Sequence, residues 1–132
     1  MLTPRHPLYF SRFKKHVVDT RKHLKESDYV QASEKIWGAM SSLVNAMSIT
    51  EVTGVNEKKE QFESLFSRLS FKHNNLRQVL KDSHFIDARQ FAVKAEGLHL
   101  YFFGKRDFPD DYMQRTIEDC VKVFEEVEKV LT

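Results

Sequence analysis

The closing stretch of the chain carries the most regular pattern of apolar positions. Met113, Ile117, Cys120, Phe124, Val127 and Leu131 follow one another at alternating steps of four and three. That rhythm returns apolar side chains to one helix face and predicts an amphipathic helix with a coiled-coil-like seam. Pro109 fits its first turn, and Asp110 and Asp111 sit where the helix dipole favours carboxylates. Ala32, Ile36, Met40, Leu43 and Met47 repeat the rhythm and predict a helix over 28–52, capped by Ser27 or Asp28. Gly38, Ala39, Ser41 and Ser42 are small enough to admit a neighbouring helix, and Gly54 suits the left-handed conformation that closes helices.

Three more stripes complete the pattern. Phe10, Phe13, Val17 and Leu24 predict a first helix over 8–26. Phe62, Leu65, Phe66, Leu69, Leu76 and Leu80 predict a third, capped by Asn56 and stopped by a break at Asp82 and Ser83. Phe85, Ala88, Ala92, Ala95, Leu98 and Phe102 predict a fourth over 84–103, ended by Gly104. Only four glycines and three prolines occur, with no proline between Pro7 and Pro109. Scarce breakers and helical periodicity predict an all-α chain, organised as a single-domain antiparallel up-and-down bundle of about five helices.

Composition narrows the class. Hydrophobic residues make up 41% of the 132 residues and charged residues 30%, which suits a globular core. No apolar run is long enough to cross a bilayer, and MLTPRHPLYF lacks the apolar segment and cleavage pattern of a signal peptide. A single cysteine, Cys120, excludes an intramolecular disulfide framework and a cysteine-based zinc site. Its place in the seam makes it a small buried apolar residue. The expectation is a cytoplasmic protein with no membrane contact, no metal and no cofactor.

Charge is unevenly placed although the net value is only +2. Residues 1–25 hold seven Lys or Arg against Asp19 alone, and 107–132 hold eight acidic against three basic groups. Two readings stand: the basic first helix meets nucleic-acid phosphates, or it lies beside the acidic last helix.

Two stretches resemble a known family. The run from Asp28 to Ala39 (DYVQASEKIWGA) resembles the first signature of the archaeal PaREP family, within the HEPN (higher eukaryote and prokaryote nucleotide-binding) superfamily. The run from Ala95 to Phe103 (AEGLHLYFF) resembles its second, although Tyr101, Phe103 and Gly104 stand where an asparagine, a tyrosine and an acidic residue are expected. The resemblance runs from about residue 10 onward. It implies a five-helix HEPN-like bundle, often dimeric, in an archaeal cytoplasm, and an association with nucleotides or with RNA cleavage in toxin–antitoxin systems.

The candidate chemistry falls in two groups. Many catalytic HEPN members carry an arginine followed by a histidine after a gap of four to six residues. Arg68 with His73, and Arg77 with His84, have that spacing. Histidine moves protons near neutral pH and arginine stabilises charge developing on phosphate, as metal-independent RNA cleavage requires. On a continuous helix, residues five apart point about 140° away from each other, and His73, between Leu69 and Leu76, reads as a core histidine. The second group is Glu34, Lys35, Trp37, Glu96 and His99. Adjacent packing of their helices makes either a polar network that fixes helix register or a ligand-binding pocket walled by Trp37 and the Tyr101–Phe103 aromatics. Glu96-x-x-His99 also has di-iron spacing, but the chain has no second copy.

The expected function is a non-catalytic nucleotide- or RNA-associated interaction module, a homodimer, acting through the basic first helix or the Glu34–His99 cleft. The alternatives are a metal-independent endoribonuclease and a structural partner for a toxin or nucleotidyltransferase.

Overall fold

The computed structural model describes residues 3–131. They form six helices and, among the described residues, no strand. These are α1 (Pro7–Lys25), α2 (Tyr29–Met47), α3 (Val55–Lys72), α4 (Asn74–Asp82), α5 (Ala88–Phe102) and α6 (Asp110–Leu131). The all-α expectation holds, whereas the count of about five is corrected to six. The extra helix arises at His73, whose extended backbone (φ −131°, ψ 91°) divides the apolar stripe that reads as one helix up to Leu80. No glycine or proline marks the break, but the following Asn74 and Asn75 are poor interior helix residues. The interruption lets α4 leave the line of α3 and pack on α6 with Leu76 and Leu80 buried.

Helix α2 stops at Met47, short of the expected end at residue 52, because Asn45 holds the loop that follows. Its carboxamide accepts from the Val52 N–H at 2.7 Å and donates to the Val52 and Ser41 carbonyls, each at 3.1 Å. One side chain therefore satisfies both backbone groups of Val52, itself buried. Gly54 is not a left-handed stop: its backbone is extended (φ −75°, ψ 143°) and it precedes α3 as the N-cap, so Asn56 lies inside the helix. Helix α5 likewise starts at Ala88, after residue 84. Asp87 caps it by accepting from the Gln90 N–H at 2.8 Å, and Gln90 returns the contact by accepting from the Ile86 N–H at 2.7 Å.

Three helices close in the same way. Ser27 (φ 56°), His84 (φ 67°) and Gly104 (φ 72°) all adopt the left-handed conformation just past α1, α4 and α5. In each case the next amide reaches back to the carbonyl five positions earlier in the Schellman pattern: Asp28 to His23, Phe85 to Leu80 and Lys105 to Leu100, each at 2.9–3.1 Å. Only Gly104 adopts that conformation without a Cβ penalty.

The core gathers around phenylalanines. Phe91 of α5 touches Phe62 of α3, Phe124 of α6 and Phe85 at centroid distances of 5.0, 5.1 and 4.9 Å. Phe13 of α1 meets Phe124 edge-on at 5.6 Å. The α6 seam from Met113 to Leu131 is buried throughout, and burial raises the Cys120 thiol pKa. Helices α1 and α2 form an antiparallel hairpin: His6 reaches the Ser48 carbonyl at 2.9 Å, while the His16 ring fills the space where a Cβ on Gly38 would stand, 3.1 Å away. Arg21 stitches α1 to α6, with a bidentate pair to Glu125 at 2.6 and 2.8 Å and contacts to Glu118 at 3.2 Å. Basic and acidic helices therefore lie side by side, and Arg21 holds the Glu125 carboxyl below its usual range.

Two outcomes follow from this packing. Asn45→Ala leaves the backbone of Val52 unsatisfied and is expected to lower unfolding free energy by about 1–3 kcal/mol in urea titrations. His16 is held below its ordinary pKa by burial and then by Lys35, with Lys15 and Arg12 adding to the effect and Asp19 opposing it. The unfolded chain therefore takes up this proton first as pH falls below about 6.5. Stability is expected to be full above that pH and to decline as pH drops through the lowered folded-state value. Urea midpoints between pH 7.5 and 5 should fall less steeply in His16→Gln than in the parent chain.

Candidate functional site

The two stretches that resemble family signatures meet in space. Their helices, α2 and α5, pack together, and the His99 imidazole stacks on the Trp37 indole at 4.8 Å with the planes 24° apart. The His99 Nδ1 lies 3.2 Å from Glu34 Oε2. A carboxylate only accepts, so Nδ1 carries the hydrogen in this contact. Phe103 closes the far edge of the imidazole at 5.0 Å and is itself 59% exposed. Helix α3 contributes Lys58, over the Trp37 ring at 6.0 Å, and Lys59, whose ammonium donates to Glu96 at 2.6 Å.

This geometry separates the five side chains. Glu34, Trp37 and His99 form one contiguous stack, Glu96 points to Lys59, and Lys35 turns to Asp19 of α1 at 4.0 Å. Trp37 is only 5% exposed, and the face on which a base would stack is covered by His99. The arrangement ties α2, α3 and α5 in register. Tyr101 is similarly engaged, stacked with Phe108 at 6.3 Å, and Phe108 in turn contacts Tyr112 at 4.7 Å. Glu96 and His99 do not share a ligand position. Among the described residues, no three His, Cys, Asp or Glu side chains converge in a metal-binding geometry.

Each arginine–histidine pair lines a surface depression. Arg68 and His73 border an open groove between α3 and the end of α6, beside Phe71 and Val130. His73 is exposed at the α3–α4 junction, which corrects its reading as a core histidine.

Arg77 and His84 line a different depression of about 990 Å³, where α3, α4 and the start of α5 meet. Lys81 and Arg89 join them, together with Ser64, Ser67 and Ser70, against two carboxylates, Glu63 and Asp87. Asp87 is committed to capping α5, and Arg77 also reaches the Asn74 side chain. His84 stands at the left-handed residue after α4, its side chain 72% exposed, with Nδ1 3.2 Å from Asp119 Oδ2 on α6. Asp119 is largely buried, so it fixes the imidazole from behind and leaves Nε2 directed away from that contact.

Asp119, Lys81 and Arg89 have no part in the spacing that singled out Arg77 and His84. The one sequence signal for Asp119 is its place beside Cys120, an acid one step from an otherwise apolar seam. A left-handed histidine costs about 1–2 kcal/mol where glycine would cost nothing, and such outliers gather at working sites.

Of the described helices, none is long and apolar enough to cross a membrane. No curated protein and no solved structure matches the chain. The sequence model of the Archaeal PaREP1/PaREP8 family matches residues 8–122, which take in both signature stretches, the His99–Trp37 stack and the Arg77–His84 depression. The chain therefore belongs to the Archaeal PaREP1/PaREP8 family.

Proposed function

We propose that the protein is a nucleotide- or RNA-associated interaction module with a HEPN-like bundle, working in the cytoplasm as a homodimer. The observation that carries the reading is the convergence of Arg77, Lys81, Arg89 and His84 on one serine-lined depression. Among the described residues neither Lys81 nor Arg89 has an ion-pair partner, so both cations remain available to phosphate oxygens. The surroundings favour this site over the Glu34–His99 cleft, and part of the basic first helix is already paired. Arg21 and Lys15 of the basic first helix are engaged with Glu118, Glu125 and Asp19, and the Glu34–His99 cleft is filled by its own aromatic stack.

A second reading, a metal-independent endoribonuclease, is favoured by the pairing of His84 with Asp119. In that reaction the His84 Nε2 takes the proton of a 2′-hydroxyl, whose oxygen attacks the adjacent phosphorus. The bond to the 5′-oxygen breaks, the leaving oxygen takes a proton from solvent water, and a 2′,3′-cyclic phosphate remains. Arg77 stabilises the charge that grows on the phosphate oxygens.

Two measurements separate the readings. Fluorescence anisotropy with single-stranded RNA should show binding whose log–log salt slope is about −2, as three phosphate contacts imply. Arg77→Ala combined with Arg89→Ala should weaken it by at least tenfold, roughly 1.4 kcal/mol. Salt-independent binding, or none, removes the interaction reading. Incubation with RNA in EDTA then tests catalysis. His84→Gly is the informative variant, because glycine relaxes the left-handed turn while removing the imidazole. The endoribonuclease reading expects cyclic-phosphate ends from the parent chain and none from the glycine variant. Equal cleavage by both excludes His84.

A further inference from the structure

A hollow of about 620 Å³ lies along another face of α3, between the N-terminal arm, the end of α2 and the loop that leads into α3. It shares no lining residue with the Arg77–His84 depression, and Arg68 alone with the groove beside His73. Its volume falls within the range of about 300–1,000 Å³ typical of small-molecule sites. Pro4, Met47 and Ile49 present its apolar surface, over the buried Val44, Val52 and Leu65. Arg5 and Arg68 enter from two different elements, and neither guanidinium has an ion-pair partner among the described residues.

The walls are held in place independently of any ligand. The Arg5 and His6 amides donate to the Ala46 carbonyl at 2.7 and 3.1 Å. The His6 ring bonds the Ser48 carbonyl, and Asn45 pins Val52 from the other side. The arm that carries Arg5 is thus anchored to α2 and not free to drift, which lowers the ordering cost of binding. Two unpaired guanidiniums beside an apolar lining suit a compact anion with a hydrophobic body, since guanidinium binds carboxylate or phosphate through paired N–H donors. The carboxylate of Glu57 also lines the hollow, which disfavours a polyanion and matches a single anionic head.

We infer that this hollow is a binding site for a small organic anion, a carboxylate or phosphate ester with an apolar body, held by Arg5 and Arg68. The site is separate from the RNA reading and stands or falls without it.

Isothermal titration calorimetry with phenyl phosphate and benzoate tests it, with inorganic phosphate and phenol as the head and body alone. At least one of the two organic anions should bind saturably at one site per chain, and each isolated half roughly tenfold or more weakly. Arg5→Ala and Arg68→Ala replace exposed side chains and should each weaken binding by about tenfold, a loss of one charge-assisted contact. Gln61→Trp, which fills the hollow from α3, should abolish it. Lys105→Ala, on the turn after α5, should bind as the parent does. The inference is overturned if neither organic anion gives saturable heat at millimolar concentration, or if binding survives both arginine substitutions. Equal binding by inorganic phosphate and phenyl phosphate would also overturn it, because the apolar lining would then contribute nothing.

Discussion

The helices are held together by contacts among a few phenylalanine rings at the centre of the bundle. Phe91 alone touches rings from α3, α6 and the turn before α5, and Phe124 passes the contact on to Phe13 of α1. Edge-to-face and offset arrangements of this kind stabilise beyond the area they bury, by about 0.5–1.5 kcal/mol per pair. They also require the helix axes to lie where the rings fit. The surface features described above inherit that constraint: α4 packs against α6 outside this cluster, and the Asp119–His84 contact joins α6 to the end of α4.

The fold was legible where a single helix carries its own message. The seam of α6 is buried from Met113 to Leu131 as its spacing requires, and the stripe of α2 packs inward, with Met47 half-exposed. Phe91 is the instructive omission. It falls one residue before Ala92 on a stripe whose middle positions are the alanines Ala88, Ala92 and Ala95, so the pattern is complete without it. Helix ends were less legible because side chains outside the local pattern set them. Asn45 ends α2 through a contact seven residues ahead, and the break at His73 has no glycine or proline to announce it. Ser27 and His84 take the left-handed role that glycine usually fills, and the expected glycine, Gly54, does not.

The candidate site was legible in part for the same reason. Adjacency of α2 and α5 brings Glu34, Trp37 and His99 together, as two matched motifs on neighbouring helices suggest. Sequence adjacency says nothing about which way a side chain turns. Glu34 and Lys35 are consecutive, about 100° apart on the helix, and they accordingly face α5 and α1. A charge pair in the sequence thus becomes two separate contacts in the bundle.

The spacing argument for arginine–histidine pairs depends on the helix continuing between them, and in neither case does it. His73 sits in the extended break after α3, and His84 sits beyond the end of α4 in a left-handed turn. The angular separation of an ideal helix therefore says nothing about either pair. What places His84 beside Arg77 is the backward course of the chain after Ser83, stabilised by the Phe85 amide on Leu80 and by burial of both those side chains. The carboxylate that orients His84 comes from thirty-five residues further along, on α6. A site assembled in this way depends on the core that positions α4 against α6, so spacing of its residues in the chain can nominate them but cannot supply their geometry.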